Sequence, residues 1–317
     1  MSDLTSNIPK KISYRTLIVP EERADQRLDN FLIAKLRVPK SLIYNLLRRG
    51  KIRVNTRKAD PSYRLIAEDA VVVPDQYFET DTKPTISVEK SGWILDYIVD
   101  ENNDFIIFNK PSGLATHGGS GHSFGLIELI RAARPQQSFE LVHRLDRETS
   151  GLIVVAKKRS VLRELNAQFA DRAVDKIYLT ILSQHCRRKE NIEAPLSAKR
   201  QNNIRISVPD HANGSMAKTS FIPLSRHLGH TLCLVIPETG RMHQIRAHAA
   251  YMDNPILGDT LYKGAQDPHF YLHAAQLSFS VKGQTYVYQQ EPPQFWDQAF
   301  FKGWDLWKVI NKHTIKH

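Results

Sequence analysis

LVHRLDRETSGLIVVAKK, residues 141–158, is the most informative segment of this chain. Its first half places His143, Arg144 and Asp146 on a short polar segment, and from Gly151 onward it becomes an apolar run typical of a buried strand. An aspartate at such a place is expected to stay ionised, because the neighbouring arginine offsets the cost of burying the carboxylate. The stretch therefore predicts an ionised carboxylate on a turn that leads into a sheet strand.

Similar strand-like runs surround this stretch in a unit that extends from about Trp93 to about Pro293. They are DFIIFNK, GLIVVAKK, IYLTIL and HTLCLVIP, with a helical pattern, SVLRELNAQFA, between two of them. The short connections predict a mixed, mainly antiparallel sheet. The C-terminal stretch FWDQAFFKGWDLWKVINKHTIKH holds three of the four tryptophans and is interpreted as a helix packed on this unit.

A smaller unit is predicted near the start of the chain, from about Ala24 to Pro74. Apolar residues recur there at helical spacing over residues 28–36 and again after Pro39, where Ser41 is the predicted N-cap of a second helix. Gly50 is expected to end that helix. The runs KIRVN and AVVVP then predict short strands, so the unit combines two helices with a small sheet.

The basic residues of this smaller unit are concentrated in one block. Between residues 31 and 59 there are nine lysines and arginines and no aspartate or glutamate: Lys35, Arg37, Lys40, Arg48, Arg49, Lys51, Arg53, Arg57 and Lys58. A solvated helix face normally mixes the two signs, so the block predicts a phosphate-binding surface. The formal net charge of the whole chain, +11, also favours a polyanionic partner.

Length and composition predict an ordinary globular protein. A chain of 317 residues, 41% of them hydrophobic, can bury a large core and is expected to form about two domains. Cys186 and Cys233 fit neither a disulfide framework nor a zinc site, so we expect buried thiols in a reducing compartment. The N-terminus lacks the apolar stretch of a secretion signal, and no run approaches the ~18 apolar residues of a membrane span. A cytoplasmic location without membrane association is expected.

Three other kinds of site use residues of the same types: a protein kinase loop, a hydrolase site and a metal site. The H-R-x-D pattern also occurs in protein kinases, but the glycines of HGGSGHSFG, residues 117–125, have the wrong spacing and no D-F-G follows. A hydrolase built on Asp146, Ser150 and a histidine would need Ser150 at the centre of a G-x-S-x-G elbow, whereas Ser150 stands in the segment E-T-S-G-L, residues 148–152. His243 and His248 stand five residues apart without an H-E-x-x-H pattern or a cysteine partner, so no metal site is predicted.

HRLDRETSG, residues 143–151, resembles the active-site motif H-R-L-D-x-x-T-S-G of the RluA family of pseudouridine synthases. Other segments similar to family motifs occur in the expected order: NKPSGLATHGG (109–119), DKIYLTIL (175–182), PETGRMHQIRAH (237–248), NPILGDTLY (254–262) and YLHAAQLSF (271–279). The smaller unit, through RLDNFLIAKL and SLIYNLLRRGKIRVN, resembles an S4 RNA-binding domain. Within the family, the chain is most similar to the C type of ribosomal large-subunit synthases, and the D type also carries an S4 domain.

The resemblance implies that uridines of 23S ribosomal RNA are isomerised to pseudouridine. That reaction breaks the N1–C1′ bond, turns the base and rejoins it through C5, so it needs neither ATP nor a cofactor. Asp146 is implied as the catalytic carboxylate, Tyr178 as a ring that stacks on the uracil, and Arg246 as the ion-pair partner of Asp146. Asp259, the rival carboxylate, is interpreted as a structural residue that holds a turn after Gly258.

Further contacts with RNA are predicted in both units. Substrate binding is assigned to His143, Arg144, Arg241 and Leu272. Arg144 is expected to help flip the target nucleotide or to make a structural salt bridge, and Arg241 to contact phosphates. Contacts of the S4 domain are assigned to Lys40, Arg48, Arg49, Lys51 and Arg53.

The predicted fold class is α+β, in a chain expected to act as a monomer. We predict an N-terminal tail or strand (1–23), an S4 domain (24–80), a linker (81–92) and a catalytic domain with a C-terminal helix (93–317). Two other functions stay open at this stage. One is a pseudouridine synthase that acts on tRNA, and the other is a non-catalytic RNA-binding factor of ribosome assembly.

Overall fold

The structure is a computed structural model that describes residues 13–36, 38–78, 91–118, 124–201, 204–303 and 305–313. The chain divides into two units, residues 1–85 and 86–317. Of the predicted linker, residues 81–90 lie outside the described residues, as do residues 1–12 of the predicted tail. The domain bounds given above therefore stay predictions.

The first unit contains two helices and a three-stranded antiparallel sheet. Its elements are β1 (Tyr14–Ile18), α1 (Leu28–Leu36), α2 (Lys40–Arg48), β2 (Arg53–Val54) and β3 (Ala70–Pro74), and the strand order is β1-β3-β2. The apolar faces of both helices meet the sheet in one core, in which Phe31, Leu32 and Ile43 are fully buried. The helical spacing seen in the sequence thus marks the buried face of each helix.

Helix α2 starts earlier than the sequence predicts. Its N-cap is Pro39, whose carbonyl oxygen accepts hydrogen bonds from the backbone N–H groups of Leu42 and Ile43. Proline already has the φ that this position needs, here −55°, and Ser41 lies inside the first turn. The prediction of Ser41 as N-cap is therefore wrong. Gly50, with φ of +65°, follows the C-cap Arg49 and ends the helix as expected.

The second unit is built on a ten-stranded mixed sheet. Its strands are β4 (Ile98–Glu101), β5 (Phe105–Lys110), β6 (Glu140–Leu141), β7 (Ser150–Ala156), β8 (Asp175–Leu182), β9 (Glu190–Glu193), β12 (Lys218–His227), β13 (His230–Pro237), β14 (Leu272–Val281) and β15 (Gln284–Gln289). The main order is β4-β5-β7-β14-β8-β13-β12-β9, with β15 on β14 and β6 on β7. Among the described strands, β7 and β14 pair in parallel and the other pairs are antiparallel. The predicted α+β class and mainly antiparallel sheet are confirmed.

β14 joins the two halves of this sheet, because it lies between β7 and β8. Gly151 permits the close approach of β7 to β14. Its φ is +109°, and a Cβ at this position would lie 2.3 Å from the carbonyl oxygen of Ala274. A larger residue would push the two strands apart at the point where the segment that carries Asp146 enters the sheet.

Helices and a separate hairpin flank the large sheet. They are α3 (Leu126–Ala133), α4 (Arg159–Ala170), α5 (Gln244–Tyr251) and α6 (Leu306–His313), and the hairpin consists of β10 (Leu196–Gln201) and β11 (Ile204–Pro209). Cys186 and Cys233 are buried free thiols, as predicted. Among the described residues, no helix is long and apolar enough to cross a membrane.

The C-terminal stretch differs from the single helix that was predicted. It contains a 3-10 turn at Gln298–Phe301 and then α6, and between them Gly303 has a φ of +86° that an α-helix cannot accommodate. Trp296, Phe300 and Ile310 are nevertheless buried in the core of the second unit. The aromatic pattern therefore indicated packing correctly, but the glycine interrupts the helix.

Candidate active site

A cavity of about 660 Å³ in the second unit contains the sequence-predicted site residues. Its lining includes His143, Arg144, Asp146, Tyr178, Arg241, Arg246 and Leu272. These residues come from the loop before β7, from β8, from the segment around the start of α5 and from the first residue of β14. The fold thus brings together residues that are up to 129 positions apart in sequence, from 143 to 272.

The turn that carries Asp146 is fixed by the segment that follows β5. The Thr116 hydroxyl donates to the Leu145 carbonyl oxygen (2.7 Å) and accepts from the Leu145 N–H (3.1 Å). The Ser112 hydroxyl donates to the carbonyl oxygen of Glu148 at 2.6 Å. Both ends of the turn are therefore tied to one loop, which limits the movement of the carboxylate between them.

Lys110 is a fully buried cation behind this turn. Its ammonium donates to three carbonyl oxygens, those of Pro111 (2.9 Å), Leu114 (2.7 Å) and Arg147 (3.1 Å). Burial lowers the pKa of Lys110 to about 7, whereas the charges of Glu148 and Asp146 act in the opposite direction. Three acceptors match the three N–H bonds of the charged form, so Lys110, as an ammonium, links its own loop to the turn that carries Asp146.

Asp146 lies close to two basic side chains. One of its carboxylate oxygens is 3.9 Å from Nη1 of Arg246 and 3.8 Å from Nε2 of His243, and its side chain is 20% exposed. Among the described residues, Arg144 makes no ion pair with Asp146, although it stands two positions away in sequence. The positive charge expected beside the carboxylate is therefore supplied mainly by Arg246.

Arg246 is held by a second carboxylate, that of Asp259. Nε and Nη2 of Arg246 each donate to one oxygen of Asp259 at 2.7 Å, which leaves Nη1 directed toward Asp146. Burial by itself would lower the pKa of Arg246, but the hydrogen bonds and charge of Asp259 raise it overall. The rings of Tyr262 and Phe270 lie 5.2 and 5.1 Å from the guanidinium carbon. Asp259 also accepts the N–H of Tyr262, so it holds a turn as predicted and orients Arg246 as well.

His243 and Gln244 shape the other wall of the cavity. His243 has a left-handed backbone, with φ of 50°, and its Nδ1 is 3.2 Å from the Tyr262 hydroxyl. Burial lowers the pKa of His243, while the charge of Asp146 raises it. The buried amide of Gln244 makes four hydrogen bonds, with Lys218, Thr219, Thr239 and Arg241. These bonds fix the loop before α5 to β12, a role that sequence analysis did not assign to Gln244.

Tyr178 and Leu272 contribute to the apolar surface of the cavity. Tyr178 lies in β8 opposite Val235 of β13 and Ala274 of β14, and Leu272 begins β14. Burial raises the pKa of the Tyr178 hydroxyl, and the charge of Asp146 raises it further. The hydroxyl is therefore protonated at neutral pH and can donate a proton or a hydrogen bond.

His143 has a structural partner in addition to its place in the lining. Its Nε2 accepts the backbone N–H of Val154 at 3.1 Å, and its ring stacks on Phe169 with centroids 4.7 Å apart. Burial, together with the charge of Lys176, lowers the pKa of His143 to about 3, so the ring is neutral. These contacts attach the segment that carries Asp146 to β7 and α4, and the assignment of His143 to substrate binding stays a prediction.

Comparison with known proteins identifies the family. The family described as RNA pseudouridylate synthase matches residues 104–251, and the S4 domain family matches residues 26–71. Ribosomal large subunit pseudouridine synthase C of Vibrio cholerae serotype O1 is 41% identical over 277 residues, which cover 82% of this chain and 87% of that protein. The protein of the same name from Escherichia coli (strain K12) is 38% identical over 297 residues, or 89% of this chain and 93% of that protein.

This chain belongs to the RNA pseudouridylate synthase family. It is thus an isomerase that acts on RNA and carries an S4 domain, as the motifs predicted. Two solved structures share its fold. Human RNA Pseudouridylate Synthase Domain Containing 1 has a TM-score of 0.59 at 21% identity and covers 68% of this chain and 93% of its own. Human RNA Pseudouridylate Synthase Domain Containing 4 has a TM-score of 0.55 at 23% identity, with 66% and 93% covered.

The rim of the pseudouridine synthase cavity is basic. Arg144, Arg172 and Arg241 are exposed there, and Lys176 is half-buried beside them. Glu238 is the one exposed carboxylate among the described lining residues. This charge balance suits an entering polyanion, because each neutralised phosphate releases counterions.

The serine and histidine that a hydrolase would need do meet in this synthase, but away from the cavity. The Ser150 hydroxyl is 2.9 Å from Nδ1 of His273, and Nε2 of His273 is 3.0 Å from the carbonyl oxygen of Gln290. Both side chains are buried, and neither lines the cavity that contains Asp146. The pair therefore connects β7 to β14 and is closed to substrate.

The predicted RNA contacts of the synthase's S4 unit are all exposed. Lys40, Arg48, Arg49, Lys51 and Arg53 lie on α2 and on the segment after it. Within the described part of the chain none of them forms a salt bridge, although Nε of Arg53 donates to the carbonyl oxygen of Gly50 at 3.0 Å. Their charges are therefore available to phosphates.

Proposed function

We propose that this enzyme converts uridines of 23S ribosomal RNA to pseudouridine with Asp146 as the catalytic carboxylate. The observation that supports this most directly is the position of Asp146 in a basic-rimmed cavity beside Arg246, which Asp259 fixes in place. The large-subunit substrate is supported by the names of the relatives that share 38–41% of their residues with this chain.

The reaction needs a group that acts at the sugar while the base is free. When the N1–C1′ bond breaks, positive charge develops at C1′, and a carboxylate can either attack that carbon or remove a sugar proton. After the base has turned, C5 bonds to C1′ and loses its proton, while N1, whose bond to C1′ has broken, takes up a proton, so the product has the same atoms as uridine. Nη1 of Arg246 is directed toward Asp146, because the other donors of Arg246 are occupied by Asp259.

The ring of Tyr178 is suited to retain the detached uracil. Stacking on an aromatic face stabilises a base by about 1–3 kcal/mol. The exposed Arg144 can occupy the gap that an extruded nucleotide leaves or can bind its phosphates. The S4 unit supplies affinity through phosphates, whereas the catalytic unit selects the nucleotide.

Tyr178→Phe should separate binding from chemistry. The ring remains, so we expect the Kd for a uridine-containing RNA to stay within about twofold, while kcat falls because the protonated hydroxyl is lost. Tyr178→Leu is the matched variant that also removes the stacking surface, and it should weaken RNA binding as well. Stopped-flow binding and single-turnover rates measure both effects. Equal losses of binding and rate in Tyr178→Phe would exclude proton transfer by the hydroxyl.

The substrate is tested by mapping pseudouridines in rRNA and tRNA from cells with and without the gene. We expect specific 23S positions to lose the modification in the deletion strain, and a plasmid copy of the gene to restore them. Restoration should fail with Asp146→Asn. Loss of tRNA positions would instead assign the enzyme to tRNA. If no position changed, the non-catalytic role in ribosome assembly would be favoured.

A cytoplasmic monomer is part of the same proposal. Ribosomal RNA is accessible to an enzyme in the cytoplasm, and one chain carries both the RNA-binding and the catalytic unit that the function requires. Light scattering of the purified protein at micromolar concentration tests the oligomeric state.

A further inference from the structure

The S4 unit contains a second cavity, of about 760 Å³, between α2 and residues 58–62. A surface that bound only the phosphate backbone would need no such concavity, whereas ligand pockets have volumes of about 300–1,000 Å³. Its lining combines apolar groups, an aromatic ring and cations: Arg27, Ser41, Tyr44, Asn45, Leu47, Arg48, Lys58, Ala59, Asp60, Pro61 and Ser62. We refer to it as the S4 pocket.

A buried carboxylate organises one wall of the S4 pocket. Asp29 is 1% exposed, accepts two hydrogen bonds from Arg27 at 3.1 and 2.9 Å, and accepts the hydroxyl of Tyr44 at 2.8 Å. The hydrogen bonds from Arg27 lower the pKa of Asp29 to about 2, so the carboxylate stays charged. One buried group thus fixes both a guanidinium and an aromatic ring, which reduces the ordering cost when a ligand binds.

The other groups of the S4 pocket have unused binding capacity. Arg48 and Lys58 are exposed and form no salt bridge within the described residues. The side-chain oxygen of Asn45 is buried and lacks a hydrogen-bond partner among the described residues, which is uncommon for a polar atom. Asp60 uses one carboxylate oxygen for Ser62. Cations for a phosphate, and the second carboxylate oxygen of Asp60 as an acceptor for the amino group of a base, therefore line the same cavity as the Tyr44 ring.

We propose that the S4 pocket binds a single unpaired nucleotide of the RNA, with its base on Tyr44 and its phosphate on Arg48 and Lys58. A base inside a duplex cannot expose its face, whereas a bulged nucleotide can stack on an aromatic ring and present its polar edges. The S4 unit then recognises a structural feature of the RNA in addition to its charge. The inference rests on the proposed function only in taking RNA as the ligand.

The test compares two uridine-free RNA hairpins that differ by one bulged adenosine in the stem. Binding of the full chain to each is measured by fluorescence anisotropy at fixed salt. We expect the bulged hairpin to bind about tenfold more tightly, and we expect Tyr44→Ala and Ser41→Trp to remove that preference. Ser41 is exposed on the first turn of α2, so a tryptophan there obstructs the S4 pocket without touching Asp29.

Matched variants separate this effect from misfolding and from loss of charge. Tyr44→Phe keeps the ring, and Ser41→Ala leaves the S4 pocket open, so both should retain the preference. Lys51→Ala should weaken binding to both hairpins equally, because Lys51 lies outside the S4 pocket. Equal binding of the two hairpins by the parent protein, or a preference that survives in Ser41→Trp, would overturn the proposal. Pseudouridine formation on a uridine substrate, assayed in the same variants, shows separately whether the proposed function holds.

Discussion

Replacing Asp146 with asparagine is expected to abolish pseudouridine formation while leaving RNA binding nearly unchanged. The amide has the size of the carboxylate but can neither attack C1′ nor accept a sugar proton. We expect the single-turnover rate to fall by about 10³-fold or more, since a positioned acid or base alone contributes about 10²–10⁴-fold. The Kd for the same RNA should stay within a few fold, because the basic rim and the S4 unit are unaffected.

Glu238→Gln is the matched control for Asp146→Asn. Glu238 also lines the cavity but is exposed at the rim, so its loss should change the rate by less than about tenfold. Release of tritium from 5-³H-uridine RNA measures turnover directly. Sustained turnover by Asp146→Asn, or a comparable loss in Glu238→Gln, would refute the assignment of the carboxylate.

The second large effect, on both stability and kcat, is expected for Asp259→Asn. In the proposed reaction Asp259 does not contact the reacting atoms. Asp259→Asn leaves the guanidinium of Arg246, whose side chain is 7% exposed, without its bidentate partner. Removing one partner of a buried ion pair costs about 3–5 kcal/mol of unfolding free energy. Without Asp259, Arg246 is no longer held in a fixed position beside Asp146, so kcat should fall while KM changes little.

Urea denaturation and steady-state kinetics measure the two consequences of Asp259→Asn. Glu190→Gln is the stability control, because its partner Arg188 is 84% exposed and a surface pair contributes only about 0–1 kcal/mol. Arg246→Lys keeps the charge but cannot make two parallel hydrogen bonds, so it should resemble Asp259→Asn in kcat. An Asp259→Asn enzyme with unchanged kcat would show that the pair contributes to folding alone.

Sequence alone predicts the strands of the second unit that carry a continuous apolar run, because such a run is typical of a buried strand. DFIIFNK, IYLTIL and HTLCLVIP correspond to β5, β8 and β13, whose apolar residues are mostly buried. The helical pattern SVLRELNAQFA corresponds to α4. The hairpin of β10 and β11 was not predicted, because its residues KRQ and IRI are largely exposed and have no strong pattern.

The sequence predicted which residues form the candidate site, but it did not predict the hydrogen bonds between them. The resemblance of the segments around Asp146, Tyr178 and Arg246 to the family motifs implied which residues meet. These segments do not indicate that Arg246 gives two hydrogen bonds to Asp259, because that pair is formed by the turn after α5 rather than by a local pattern. The three carbonyl oxygens around Lys110 likewise depend on how two loops meet.

The central position of β14 has a consequence for synthesis of the protein on the ribosome. Residues 272–281 leave the ribosome after β7 and β8, yet β14 is the strand that joins them. Until it inserts, the nascent chain has two unpaired strand edges, which are prone to association with other chains. A chain that ends before residue 272 would keep both edges exposed and would lack Leu272 in the cavity, so premature termination should yield aggregates rather than a smaller active enzyme.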